Sequence, residues 1–127
     1  MLITIYYAAI LALLYVYLTF RVIGIRRIAK VSIGDGGNEK LSRAIRVHAN
    51  FSEYVPFTLL LIYFLEIQNA NSIVLHILCS LLLIARFLHA YGVSNINEKL
   101  QFRILGMIMN ISVLAISSLY LLLTGIV

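Results

Sequence analysis

Three long runs of this chain contain no charged side chain, and they constrain the fold more than any other feature. The runs cover residues 1–20, 67–85 and 104–127. An α-helix rises 1.5 Å per residue, so about 20 apolar residues cross a hydrocarbon layer about 30 Å thick. Each run is therefore long enough to predict a membrane-spanning helix.

The composition agrees with a lipid-embedded protein. Hydrophobic residues make up 62% of the 127 residues and charged residues only 12%, whereas soluble domains carry roughly 25% charged residues. A soluble core of this size could not bury so much apolar surface, because small domains leave a large fraction of their surface in water. The composition excludes a soluble globular enzyme and a disordered chain.

A fourth span is less obvious in the sequence. Residues 54–65 are free of charge but too few to cross a bilayer, so the helix must extend back to about residue 41. Isolated strands cannot satisfy their backbone groups in lipid, and barrel strands would alternate polar and apolar residues, which runs such as 81–85 do not. We expect one all-α domain over 1–127, a four-helix transmembrane bundle with spans at about 1–20, 41–66, 72–92 and 103–125.

The distribution of charge predicts the orientation. Residues 21–46 hold seven Lys or Arg and two acids, whereas the connection at 66–72 has no Lys or Arg. By the positive-inside rule, loops 21–40 and 93–102 face the cytoplasm and both termini lie on the opposite side. Orientation in a membrane with an anionic leaflet also explains the net charge of +5, so no nucleic-acid partner is expected.

Polar residues recur along one face of the second predicted helix. Helical spacing places five of them within an arc of about 100°: Arg43, Arg46, Asn50, Glu53 and Tyr54. Charges at membrane depth cost about 2.5–3.5 kcal/mol each, so they must face a neighbouring helix or a water-filled cavity. Snorkelling arginines or a structural Glu53–Arg46 pair are alternatives, but a face of mixed sign with an amide favours a zwitterionic ligand.

Further candidates lie near the ends of the other predicted spans. The cationic candidates after the first span are Arg26, Arg27 and Lys30. Arg86 and His89 lie at the end of the third span, and Arg103 lies at the start of the fourth. The histidines have no HxxxH or HExxH spacing and Cys79 is the single cysteine, so we expect no metal site. The chain offers no Ser-His-Asp set or carboxylate pair that would favour hydrolysis.

The available chemistry therefore depends on arginines. Arginines bind carboxylates through paired hydrogen bonds, and a nearby arginine lowers the pKa of a thiol from its reference value of about 8.5. Glutathione offers two carboxylates, an amino group and a thiol. The arginines together with Glu53 and Asn50 complement these groups, which makes glutathione a plausible ligand.

The second predicted helix also carries a recognisable signature. Residues 43–56, RAIRVHANFSEYVP, match the pattern R-x-x-[RH]-x-x-x-N-x-x-E-x-x-P at every fixed position, Pro56 included. This segment resembles the signature of the MAPEG family, the membrane-associated proteins in eicosanoid and glutathione metabolism. Residues 26–32 look like the basic segment after the first helix of leukotriene-C synthases. The resemblance implies a homotrimer with glutathione held between neighbouring subunits.

The resemblance also implies roles for individual residues. Four of them match the family's glutathione-binding residues on the second helix: Arg46, Asn50, Glu53 and Tyr54. Arg26 matches a further glutathione contact, Arg27 an arginine near the second substrate, and Arg103 the arginine that stabilises the glutathione thiolate. His89 and Val93 depart from the two tyrosines of leukotriene-C synthases, and His89 is more similar to microsomal glutathione transferases.

Three functions are compatible with these observations. The favoured one is a glutathione transferase or peroxidase that uses glutathione as co-substrate against lipophilic electrophiles or lipid hydroperoxides from the bilayer. The second is a non-catalytic glutathione- or lipid-binding membrane scaffold of the same fold. The third is a small transporter or channel that uses the intramembrane charges as a pathway.

Overall fold

The computed structural model describes residues 2–124, and over that range the chain forms four α-helices. They are α1 (Ile3–Ala29), α2 (Glu39–Ile67), α3 (Ser72–Ser94) and α4 (Leu100–Thr124). Residues 1 and 125, the predicted outer ends of the first and fourth spans, lie outside the described range. The all-α four-helix architecture expected from the sequence is confirmed.

Two helices are longer than the spans predicted from charge. Helix α1 continues for nine residues beyond Phe20 through Arg21, Arg26 and Arg27, and α2 begins at Glu39. Within residues 2–124, α1, α3 and α4 are long and apolar enough to cross a membrane. Helix α2 does not meet that description because it carries six charged residues, most of them in its first half.

The helices run up and down, with α2 and α3 in the middle of the bundle. Helix α2 packs against the other three helices and α3 packs against α1, α2 and α4, whereas the backbones of α1 and α4 do not come close to each other within residues 2–124. Their shared core consists of buried aliphatic residues such as Leu11, Val47, Ile62, Leu82 and Val113. This order places the α1–α2 and α3–α4 loops at one end of the bundle and the α2–α3 loop at the other.

The end that contains the α2–α3 loop is closed by a carboxylate. No side chain of α1 caps its own N-terminus. Instead Glu66, near the end of α2, accepts hydrogen bonds from the backbone N–H groups of Ile3 and Thr4. A carboxylate at this position satisfies two free donors and complements the positive end of the helix dipole, so Glu66 fixes α1 against α2.

At the opposite end, two glycines allow α3 and α4 to approach closely. A Cβ at Gly106 of α4 would lie 2.7 Å from both the Ala85 carbonyl oxygen and the His89 nitrogen of α3. A Cβ at Gly92 of α3 would lie 2.5 Å from the Arg103 nitrogen. Small residues at such crossings let helix backbones meet in membranes, and here they bring His89 and Arg103 together.

The loop before α2 is ordered by polar contacts. Asn38 caps the helix by accepting from the Leu41 N–H at 3.0 Å. The Asp35 carboxylate accepts from the Gly37 N–H at 3.0 Å, and this hydrogen bond lowers the pKa of Asp35 below its ordinary value. The start of α2, which carries the polar face, is therefore held at a defined place.

Candidate functional site

A polar cavity opens at the end of the bundle that contains the α1–α2 and α3–α4 loops. Its volume is about 220 Å³. Three helices and one loop contribute its lining, which consists of Ser42, Arg43, Arg46, Asn50, His89, Val93, Glu98 and Arg103. Four of the residues predicted as site residues, Arg46, Asn50, His89 and Arg103, thus line one cavity although they lie on three different helices.

The cavity carries a net positive charge, because three arginines face one carboxylate. Glu98 accepts a hydrogen bond from Arg103 Nη1 at 2.7 Å and lies 3.8 Å from Arg43 Nη1. The hydrogen bond from Arg103 keeps the pKa of Glu98 below its ordinary value, with the nearby charges of Arg103, Arg43 and His89 acting in the same direction. Glu98 therefore partly neutralises Arg103.

Arg43 and Arg46 differ in whether their guanidinium groups already have partners in this cavity. Arg43 donates to Glu39 at 3.1 Å and to the Val93 carbonyl at 3.4 Å, so it joins the start of α2 to the end of α3. Within residues 2–124, Arg46 makes neither a hydrogen bond nor an ion pair. The guanidinium of Arg46 is consequently available to an anionic ligand, whereas that of Arg43 already has partners.

A buried arginine lies directly behind the cavity. Arg86 is only 1% exposed, so it does not snorkel to the membrane surface. Its Nη2 donates to Asn50 Oδ1 at 2.9 Å and lies 3.4 Å from His89 Nδ1, and the guanidinium lies 5.5 Å from the centre of the Phe51 ring. Arg86 thereby fixes the orientation of the Asn50 carboxamide. The N–H groups of that carboxamide remain free for a ligand.

Glu53 and Tyr54 share the helix face but not the cavity. Both lie deeper along α2 than Asn50, and Glu53 is exposed on the outside of the bundle. Among the described residues no ion pair joins Glu53 to Arg46 or to any other base. A structural Glu53–Arg46 pair, one of the interpretations open at the sequence level, is therefore absent from residues 2–124.

Arg26 and Arg27 belong to a separate cavity at the end of α1. That cavity is lined by Ile23, Arg26, Arg27, Lys30, Val31 and Ser32. Arg26 donates to the Gly34 carbonyl at 2.7 Å and so binds its own loop, while Arg27 is exposed. Within a single chain these two arginines do not meet the cavity that contains Arg46.

Sequence reasoning missed Glu98 and the role of Arg86. Glu98 is the single acid of the α3–α4 loop, and its position five residues before Arg103 could have indicated a pair. Arg86 precedes His89 by three residues, the spacing of neighbours on one helix face. The hydrogen bond from Arg86 to Asn50 spans two helices, and no local signal in the sequence predicts it.

The carboxylate of Glu98 predicts a pH effect. Because folding lowers its pKa below the ordinary value of 4.5, the ionised group stabilises the fold above that pH, and this stabilisation disappears as the pH falls through the lowered pKa. We expect wild type to exceed Glu98→Gln in thermal stability at pH 6, and the difference to shrink below about pH 4.5.

Thermal unfolding of both proteins in one detergent between pH 3 and 7 measures this difference. Arg103→Gln is the matched control, because loss of the partner removes most of the same pH dependence. A stability difference that stays constant down to pH 3 contradicts a lowered Glu98 pKa.

Comparison with known proteins identifies the family of this chain. The model of the MAPEG family matches residues 4–123, which is nearly the whole chain. The chain belongs to the MAPEG family. The MAPEG resemblance seen in residues 43–56 is thereby confirmed, and the chain is a multi-pass integral membrane protein of the glutathione and eicosanoid family.

Two curated MAPEG relatives come from Escherichia coli, strain K12 and strain O6:H1 (CFT073). Each bears the name "Inner membrane protein YecN" and is 40% identical to this chain over 86 residues, which is 68% of this chain. The match spans 66% of the relatives' own length, slightly less than two thirds. Their name places these relatives in an inner membrane and states no reaction.

Proposed function

We propose that this chain is a membrane glutathione transferase or peroxidase and that glutathione binds in the cavity between α2, α3 and α4. The observation that carries this proposal is the convergence of Arg46, Asn50, His89 and Arg103 on one cationic cavity. Arg46 suits a carboxylate of glutathione, and Asn50, held by Arg86, suits its peptide groups. Arg103 suits the thiolate, so that the ligand is oriented and its nucleophile stabilised.

The size of the cavity supports a shared site. Ligand pockets usually enclose about 300–1,000 Å³, whereas the cavity of one chain encloses about 220 Å³. Arg26, Arg27 and Glu53, which the family resemblance assigns to the site, lie outside it in a single chain. A homotrimer with each site between neighbouring subunits accounts for both observations.

The proposed orientation follows from the two loops at the mouth of the cavity. Both loops lie at the same end of the bundle, together with Arg26, Arg27, Lys30 and Lys40. The positive-inside rule assigns that end to the cytoplasm, where glutathione would enter from water. The lipophilic electrophile or lipid hydroperoxide would reach the thiolate from the bilayer.

Turnover separates this proposal from the scaffold alternative. Purified protein in detergent is expected to conjugate glutathione to a generic aryl halide or to reduce a lipid hydroperoxide. The double variant Arg46→Ala, Asn50→Ala serves as the control and should lose the reaction. Glutathione binding without turnover of either substrate would favour the scaffold, and absence of both would overturn the proposed function.

Oligomeric state tests the shared site. Native mass spectrometry from a mild detergent is expected to show trimers. Because Arg26 and Arg46 would belong to one site from two subunits, co-expressed Arg26→Ala and Arg46→Ala chains should form mixed trimers in which some sites keep both arginines. Recovery of part of the glutathione binding supports sharing, and monomers without mixed assembly refute it.

Glu53→Gln is expected to weaken glutathione binding. Glu53 is the acid at membrane depth on the polar face of α2, and it lacks a cationic partner within residues 2–124. A hydrogen bond to a charged group contributes about 1.5–3 kcal/mol, so affinity should fall at least about tenfold.

The matched ligand is a glutathione analogue without the α-amino group, for which the loss should be much smaller. Calorimetry with both ligands measures the two losses. Equal losses for both ligands would make Glu53 a structural residue.

A further inference from the structure

An apolar groove runs along the outside of the bundle between α1 and α3, away from the proposed glutathione site. It encloses about 580 Å³, well within the range of ligand pockets. Its walls are mostly apolar and include Ile10, Leu13, Leu14, Tyr17, Leu18, Phe87 and Ala90. From Ile10 to Arg21 the groove follows α1 for about 16 Å, as the helical rise requires.

The groove ends in polar residues at the level where α3 ends. Arg21, Tyr91, Ser94 and Asn95 form that end, and Arg21 donates to the hydroxyl and carbonyl oxygens of Ser94. Helix α3 stops at Ser94 and the polar α3–α4 loop follows. Apolar walls therefore give way to polar groups at the membrane boundary.

A second, polar cavity begins where the groove stops. It encloses about 400 Å³, shares Ser94 and Asn95 with the groove, and is otherwise lined by Lys40, Ile96, Asn97 and Lys99. Lys99 Nζ donates to the Tyr91 hydroxyl at 2.7 Å and lies 5.0 Å from the centre of the Tyr91 ring. Tyr91 thus holds this ammonium group at the rim of the groove.

The charged residues that line the groove and the adjoining polar cavity are all basic. Arg21, Lys40 and Lys99 line them, and within the described residues no carboxylate does. Glu98, the acid of the neighbouring loop, pairs instead with Arg103 and Arg43. The combined surface is an apolar slot followed by a cationic pocket with amide donors.

We propose that this surface binds an anionic phospholipid of the surrounding bilayer. One acyl chain lies in the α1–α3 groove, and the phosphate and the rest of the headgroup lie among Arg21, Lys99 and Asn95. An apolar slot within the membrane with a cationic pocket at the headgroup level complements both halves of such a lipid. The proposal does not depend on glutathione binding, since the groove shares no residue with the glutathione cavity.

Native mass spectrometry from mixed micelles tests the headgroup. Micelles contain equal amounts of phosphatidylglycerol and phosphatidylcholine with identical acyl chains, and bound phosphatidylglycerol is expected to exceed bound phosphatidylcholine. Arg21→Gln and Lys99→Gln should each reduce that preference about fivefold. Lys30→Gln, which removes the same charge from a residue outside both cavities, should leave it unchanged.

Photo-crosslinking tests the groove. Leu13 is 70% exposed on the groove wall, so a benzoylphenylalanine at this position should fold normally and react with a lipid acyl chain. Crosslinks to a second copy of the chain would show that the groove is a subunit interface and would overturn the proposal. Equal binding of both lipids, or equal losses in all three charge variants, would also overturn it.

Discussion

Replacement of Gly106 by alanine is expected to disrupt the α3–α4 crossing and, with it, ligand binding. The added Cβ would lie 2.7 Å from two backbone atoms of α3, at Ala85 and His89. Backbone atoms cannot rotate away as a side-chain end can, so the helices must separate. Overpacking of this kind costs about 1–3 kcal/mol, and separation would also move His89 away from Arg103.

Gly24→Ala is the matched control for this variant. Gly24 lies within α1, and apart from the local helix backbone no described atom lies within 4 Å of the position its Cβ would take. Alanine in a helix interior is more favourable than glycine by about 0.8–1.0 kcal/mol, so this variant should keep or gain stability. Thermal unfolding in detergent compares the two, and equal stabilities would contradict the close approach of α3 and α4.

Arg103→Ala is expected to raise the pKa of the glutathione thiol in the complex. An arginine keeps its charge at physiological pH and cannot act as a base, so it can only stabilise the thiolate. A shift of about one to two pKa units corresponds to a ten- to hundredfold smaller acid dissociation constant of the bound thiol. Affinity at low pH, where the thiol is neutral, should change much less.

Glu98→Gln is expected to change the pKa of the bound thiol in the opposite direction. Glu98 holds Arg103 through a hydrogen bond of 2.7 Å, so its neutralisation should strengthen the field of Arg103 and lower the thiol pKa. Thiolate absorbance against pH with bound glutathione measures both variants. An unchanged titration for Arg103→Ala would transfer the role to Arg27 or His89.

The fold followed from the sequence because lipid leaves few choices. Charge-free runs at 1–20, 67–85 and 104–127 had to supply helices in a bilayer. Within the described residues the structure confirms a helix in each run, and residues 68–71 of the second run form the α2–α3 loop. The exact ends of the helices could not be predicted from the sequence. Helix α1 continues to Ala29 because residues 21–29 contain no proline and the single glycine, Gly24, lowers helix propensity without ending the helix. The arginines of this segment are nevertheless too polar for the hydrocarbon layer.

Only part of the candidate site could be predicted from the sequence. Helical spacing placed Arg46 and Asn50 on one face, and the structure brings them to one cavity with His89 and Arg103. Helical spacing alone could not predict that the cavity ends at Asn50. It ends there because the side chain of Arg86, from α3, lies behind the Asn50 carboxamide. The Arg86–Asn50 pair depends on how α3 packs against α2, which periodicity within one helix does not report.

Calorimetry of glutathione binding tests the proposed function of the cavity. Purified protein in detergent is titrated with glutathione at pH 7, beside Arg46→Ala and the control Arg21→Gln, which removes an equal charge from a groove that shares no residue with the cavity. We predict saturable binding to wild type and to Arg21→Gln, and at least a tenfold weaker affinity for Arg46→Ala, about 1.4 kcal/mol. No binding to wild type, or equal binding to all three proteins, would contradict the account.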